Sequence, residues 1–197
     1  QIVHDIAPGA ELVLKTGSLG AAHMAAGIAQ MAGEVVGCDI IVDDVTYITE
    51  PFFQDGQLAQ AVNATNAAGV SYFTSAGNFS NSSYEGVFNP GTIPPQFLMT
   101  TSKAHQFSTG DIFQSLQLGA GTYTIVLQWE EADWENAAND LDIYLTDGNG
   151  YNLIGYNRNN VGEQPIEVLP FTVSEGGSRT NIMITRAAGT GTPKFKY

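Results

Sequence analysis

Two kinds of hydrophobic periodicity divide this chain. In the first half, short apolar runs alternate with stretches where apolar residues recur every three or four positions. "AELVLKT" (Ala10 to Thr16), "DIIV" (Asp39 to Val42) and "VSYFTS" (Val70 to Ser75) are runs of strand length bounded by turn residues. Between the first two, Met24, Ile28, Met31 and Val35 line one face of a predicted helix that Gly37 would stop. Between the second and third, Leu58, Ala61, Val62 and Thr65 form the inner face of another, with Asp55 as its cap and Gly69 as its end. Strand, helix, strand, helix, strand with near-continuous apolar strands predicts a parallel sheet covered by helices on both faces.

The pattern breaks at the Gly- and Pro-rich "GVFNPGTIPP" (Gly86 to Pro95), which reads as a boundary. Beyond Ala104 the period becomes two. Tyr123, Ile125, Leu127 and Trp129 alternate with polar neighbours, as do Leu141, Ile143 and Leu145 ahead of an Asp-Gly-Asn-Gly turn. "IEVLPFTV" and "NIMITRA" add two strands, and no helical pattern appears. The expected fold class is therefore α/β plus all-β. Residues 1–103 form a partial α/β domain, and residues 104–197 an antiparallel, jelly-roll-like β-sandwich.

Composition narrows the function classes. A net charge of −13 repels phosphate backbones and anionic lipid headgroups, so neither nucleic acid nor a membrane surface is an expected partner. The acidity is spread along the chain, with two cations against nine anions before Ala104 and five against eleven after it. No apolar run reaches the length of a membrane span, and no basic-then-apolar leader opens the chain. Cys38 is the only cysteine, which excludes an internal disulfide and suits a small core residue beside a strand.

Ligands of an open parallel sheet gather at the carboxyl ends of its strands. Val42 runs into Asp43, Asp44, Val45 and Thr46, while Ser75 runs into Ala76, Gly77 and Asn78. Neighbouring strands would bring these turns to one edge. Asn after Gly is ordinarily a turn residue; the alternative is an amide placed to meet a developing oxyanion. The nucleophile and base that such a donor would serve are not evident. There is no Gly-x-Ser-x-Gly elbow, and His4, His23 and His105 are scattered. "GSLG" at Gly17 lacks the glycine spacing and the lysine of a phosphate loop.

With these residues in view, the first half resembles the middle of a subtilisin-like serine peptidase, a subtilase. "HDIAPGAEL" is similar to the family's Val-Ala-Pro-x-Ala segment, "GCDIIVDDVTY" to its substrate-pairing strand, and "GVSYFTSAGN" to the strand ending in Ala-Gly-Asn. The similarity covers about residues 1 to 95, and the second half is similar to a β-sandwich that some secreted peptidases carry, here as an insertion. The resemblance implies that Asn78 is the oxyanion-hole residue. It implies that Asp44, Val45, Thr46, Ser75, Ala76 and Gly77 are substrate-cleft backbone for a protein or peptide. Where the family usually has Ser-Leu-Gly this chain has Asp44, Val45 and Thr46, which points to a cleft for basic or polar side chains. The family's catalytic Asp, its His or substituting Glu, and its Gly-Thr-Ser nucleophile would lie outside residues 1–197. The chain then reads as an interior piece of a secreted, periplasmic or cell-envelope peptidase, inactive without the remainder of the peptidase domain.

Two further features carry candidate chemistry. Between Glu130 and Asn149 ten acidic or amide side chains cluster, and Asp140, Asp142, Asp147 and Asn149 are candidate calcium ligands, although the spacing departs from an EF-hand. Asp140 and Asp142 also fit a solvated strand face opposite Leu141 and Ile143. Trp129, Trp134, Tyr151 and Tyr156 suggest the competing function, a protein- or glycan-binding module, with core packing the better account of Trp129.

Overall fold

The structure, a computed structural model, describes residues 2–79, 81–97, 102–151 and 154–197, with Tyr156 described in its backbone only. Two compact units form, one from residues up to 50 together with 55–78, the other from 51–54 with 79–197. Among the described residues sheet dominates, with three α-helices and several antiparallel strand pairs, so the chain is of the α/β plus all-β class.

The first unit contains α1 (Ile2–Ile6), α2 (Ala21–Ala32), β1 (Ile40–Asp43), α3 (Gln57–Ala67) and β2 (Ser71–Thr74). β1 and β2 pair in parallel, Ile40 opposite Ser71 through Asp43 opposite Thr74. Met24 and Ile28 of α2 and Ile41 of β1 are buried together, with Leu58, Ala61 and Val62 of α3, Tyr72 and half-buried Cys38 packed around them. The apolar spacing on both helices therefore points to the face that is used.

Four expectations change here. Ala10 to Thr16 has no regular structure; an apolar run becomes a strand only where it finds a ladder for its N–H and C=O groups, and this one runs beside α2. There the Lys15 stem fills the space over Gly27, so close that a Cβ on Gly27 would lie 3.1 Å from it. α2 ends at Gly33, not Gly37, because glycine is a poor helix residue and the backbone then reverses. Gly37, at φ +65°, donates to Gly33 O at 2.8 Å, and Cys38 N reaches Met31 O at 2.9 Å, leaving Val35 fully exposed outside the helix. Gly56, not Asp55, is the N-cap of α3; the Asp55 carboxylate instead accepts from Asn63 Nδ2 at 2.9 Å. Finally, the helices cover one face of the β1–β2 pair only. Ile40, Val42 and Phe73 on the other face are 60%, 71% and 58% exposed.

The second unit is two packed antiparallel sheets. Its strands are β3 (Glu85–Val87), β4 (Pro90–Gly91), β5 (Lys103–His105), β6 (Gln114–Leu118), β7 (Gly121–Trp129), β8 (Asp140–Asp147), β9 (Ile154–Tyr156), β10 (Ile166–Val173), β11 (Ser178–Ala188) and β12 (Lys194–Lys196). One sheet runs β10-β7-β12-β3 and the other β4-β5-β11-β8-β9, with β6 also paired to β11. Leu127 and Trp129 of β7, Leu169 of β10 and Phe195 of β12 meet Leu141, Ile143 and Leu145 of β8 and Ile182 and Ile184 of β11 in the shared core. These are the inward positions of the period-two pattern. Pro170, which cannot donate to a ladder, sits on β10 at the sheet's edge, where no donor is missed.

The segment around Gly86 to Pro95 is not a linker between the units, since β3 and β4 add to the two sheets of the sandwich. Gly and Pro there mark short edge strands, for which two or three residues suffice. Residues 51–54 belong to the sandwich as well. Phe52 N donates to Gln128 Oε1 at 2.8 Å, and Lys196 and Lys194 lie over the rings of Phe52 and Phe53.

Candidate functional site

Parallel pairing sets the carboxyl ends of β1 and β2 side by side. Ser75 N donates to Asp43 O at 3.3 Å, extending the ladder one residue past the strands. The Asp43 carboxylate then organises both exits: its Oδ1 accepts from Val45 N and from Thr74 Oγ1, each at 3.1 Å. Asp44, Val45 and Thr46 leave β1 on the exposed surface, and Ser75, Ala76, Gly77 and Asn78 leave β2 likewise. Gly77 has φ +71°, a left-handed turn in which a side chain would be strained, and it delivers Asn78 with its amide exposed. The two predicted turns are thus neighbours on one edge.

An open cleft of about 310 Å³ is lined by Asp43, Val45, Tyr72 and Thr74 from the strand ends and by Met24, Leu58 and Val62 from the helices; of the predicted site residues Val45 lines it, and Asp44, Thr46 and Ser75 to Asn78 do not. The Gly17 turn forms a support for this loop, not a phosphate cradle. Tyr47 Oη donates to Gly17 O, and a Cβ on Gly17 would lie 3.0 Å from a Val45 methyl. Asp43, rather than Asp44, is the carboxylate in the cleft. The strand boundary alone could not distinguish them, because which carboxylate turns inward depends on the Asx-type turn that Asp43 makes with Val45.

None of the three histidines joins this edge. His4 is exposed beside Asp5, and His23 is half-buried on α2 with Nδ1 sheltered and unpartnered. His105 is buried in the sandwich among Tyr84, Phe88, Phe107 and Phe195. Its Nδ1 accepts from Asn89 N at 3.0 Å, which assigns the ring hydrogen to Nε2, donating to Tyr84 Oη at 3.1 Å. Burial holds its pKa down at about 4. Because that lies below the unfolded value near 6.5, the unfolded chain takes up the proton first as pH falls. Stability present above about pH 6.5 is lost on the way down to 4, about 3 kcal/mol from this ring. Wild type is therefore expected to lose about that much more than His105→Phe between pH 7 and 4 in denaturant titrations, and parallel losses would refute the assignment.

Comparison with protein-family models finds no match, and comparison with curated proteins finds none.

The four candidate calcium ligands do not converge. Asp140 and Asp147 begin and end β8, so their Cα atoms are about 23 Å apart, whereas calcium ligands lie about 2.3–2.6 Å from the ion. Asp147 Oδ1 accepts from Asn149 N and Tyr151 N, both at 2.9 Å, and so makes the turn instead. Among the described residues, no three His, Cys, Asp or Glu side chains are placed to hold a metal ion.

Nor is the Asp140–Asp142 face solvated. The two carboxyls are 5% and 3% exposed, covered by the 157–165 loop. Burial, and then the neighbouring Asp140 charge, pushes Asp142 up to about 7. Glu167 on β10 is fully buried and is pushed up to about 8 by burial and the Asp142 charge. Period two gave the right alternation on β8, but it says nothing of a loop that arrives 20 residues later to cover the outer side. Glu167 carried no signal at all.

The aromatics do not form a stacking platform. Trp129 is core, as its alternation implied, and half-buried Trp134 and exposed Tyr151 stand beyond opposite ends of β8. The Tyr156 side chain lies outside the described residues. Among the described residues, no helix is long and apolar enough to cross a membrane.

Proposed function

We propose that this chain is the interior part of a subtilase-type serine endopeptidase, interrupted by a jelly-roll-like sandwich and acting outside the cytoplasm. Asn78 is its oxyanion donor, and Asp44, Val45, Thr46, Ser75, Ala76 and Gly77 are the backbone of its peptide-binding cleft. The observation that carries this reading is the in-register pair of strand ends, which sets the Asp43 exit next to the Ser75 exit, with Gly77 in a left-handed turn and Asn78 exposed after it. An amide so held can donate to the carbonyl oxygen of a bound peptide as it becomes an oxyanion. It cannot attack or move the proton, which needs an activated hydroxyl and a base.

The bare apolar face of β1 and β2 supports the same reading. Parallel strands are found covered on both sides, and Ile40, Val42 and Phe73 form a face awaiting the rest of such a domain. The Asp43 carboxylate in the cleft favours peptide substrates with basic or polar side chains.

The purified 197-residue chain is expected to show no turnover of casein or a chromogenic peptide, and completion with segments supplying the acid, base and serine should restore it. Turnover by the chain alone, abolished in Asn78→Ala, would contradict the missing-machinery account. A completed domain that folds but stays inert would instead favour a pseudo-peptidase that binds its partner without cleaving.

A further inference from the structure

A buried polar cluster in the sandwich has no part in the proposed chemistry. The loop 157–165 connects β9, the edge strand of the larger sheet, to β10, the edge strand of the smaller. Its anchor is Asn160, completely buried. Asn160 N donates to Asp140 Oδ1 at 3.1 Å, and its Nδ2 donates to Gln164 O at 2.7 Å and Ile166 O at 3.1 Å. Gly162 N to Ala137 O and Ala137 N to Glu163 O, each 2.9 Å, clip the loop to the β7–β8 connection.

Beneath it the polar groups are incompletely matched. Asp142 Oδ2 accepts from Thr185 Oγ1 at 3.3 Å and Tyr144 Oη at 3.4 Å, while Asp142 Oδ1, Asn160 Oδ1 and both Glu167 oxygens have no partner at hydrogen-bonding geometry; the Arg158 backbone N–H is close enough to Glu167 to oppose, without cancelling, the effect of its burial. The groups facing the cluster are Asp140, Asp142 and Tyr144 from β8, Thr185 from β11, Glu167 from β10 and Asn157, Arg158 and Asn160 from the loop. Arg158 is the cation among them; it is half-exposed, 3.8 Å from Glu163, and its pull on Glu167 is outweighed by burial. Three carboxylates against one such cation cannot all be charged in a dry site at low cost.

We propose that the 157–165 loop is a proton-held strap across the sandwich edge, seated while Asp142 and Glu167 are uncharged and lifted when they ionise. A protonated carboxyl supplies a donor to the unpartnered oxygens around it; a carboxylate adds another acceptor where acceptors already outnumber donors. The strap yields before the strands because it is held by a few bonds, whereas β8, β10 and β11 are held by continuous ladders. The order of events on raising pH follows from the raised affinity for protons at Asp142 and Glu167, which is mainly the consequence of their burial.

Hydrogen exchange on the full 197-residue chain, corrected for the pH dependence of intrinsic exchange, tests this. Protection of the 157–165 amides should fall by about tenfold or more between pH 6 and 9, while the Ile182 to Thr185 amides of β11 hold theirs. In Glu167→Gln the fall should shrink severalfold, and likewise in Asp142→Asn; should one variant fail to fold, the other carries the comparison. A flat profile in wild type, an equal fall in the folded variants, or parallel loss in β11 would overturn the strap. Millimolar calcium restoring protection at pH 9 would overturn it too, because the cluster would then be neutralised by metal and not by protons.

Discussion

In the subtilase proposed above, Asn78→Ala is expected to lower kcat by about 10²–10³ and leave KM nearly unchanged, because an oxyanion donor is used only when the substrate carbonyl acquires charge. The loss corresponds to about 3–4 kcal/mol of transition-state stabilisation. Asn78 is exposed at the end of β2 and fills no part of either core, so the substitution should not disturb folding. That separation gives the measurement its force. The initial rates of wild type and variant, with unfolding midpoints in parallel, distinguish a lost donor from a lost fold. A variant with normal stability and unchanged kcat would remove Asn78 from the oxyanion hole. A raised KM at unchanged kcat would make it a ground-state binding residue.

Elements whose signal is local were legible in the sequence. β1, β2, β7, β8 and β10 fall where apolar runs and alternation place them, because a strand's inward face must be apolar wherever a core lies beneath it. Met24, Ile28, Leu58 and Val62 were similarly readable as helix faces. Legibility failed where a distant partner decides the outcome. Ala10 to Thr16 has strand composition and no ladder; Asp140 and Asp142 have solvent-facing alternation and a loop above them. Gly33 won over Gly37 by competition between two stops, a matter of turn bonding that periodicity does not encode. At the candidate site, the sequence located both turns, and pairing in register brought them together. The inward turn of Asp43 emerged only from its bonds to Val45 and Thr74.

The same dependence on distant partners holds at Trp129, the largest fully buried side chain among the described residues. Trp129→Ala is expected to cost about 3–5 kcal/mol, a large share of the 5–15 kcal/mol that typical domains possess. The indole is 1% exposed and stands opposite Phe195, in the layer shared with Leu127, Leu141 and Ile143. Strands fixed by ladders on both sides of β7 cannot collapse into the space it leaves, so the cavity persists. Its Nε1 also donates to Glu131 Oε1 at 3.2 Å, the oxygen that accepts from Asn139 N and Asn139 Nδ2 at 2.9 Å each. Asn139 Oδ1 in turn accepts from Gly191 N at 3.0 Å, so one indole nitrogen helps to hold the β7–β8 loop against the turn before β12. Trp129→Phe separates the two effects: it keeps most of the packing and removes one donor of three, for a smaller loss of about 1–2 kcal/mol. Denaturant midpoints followed by near-ultraviolet circular dichroism would rank the variants. If Trp129→Phe proved as damaging as Trp129→Ala, the polar network and not the packed layer would be what holds the two sheets in register.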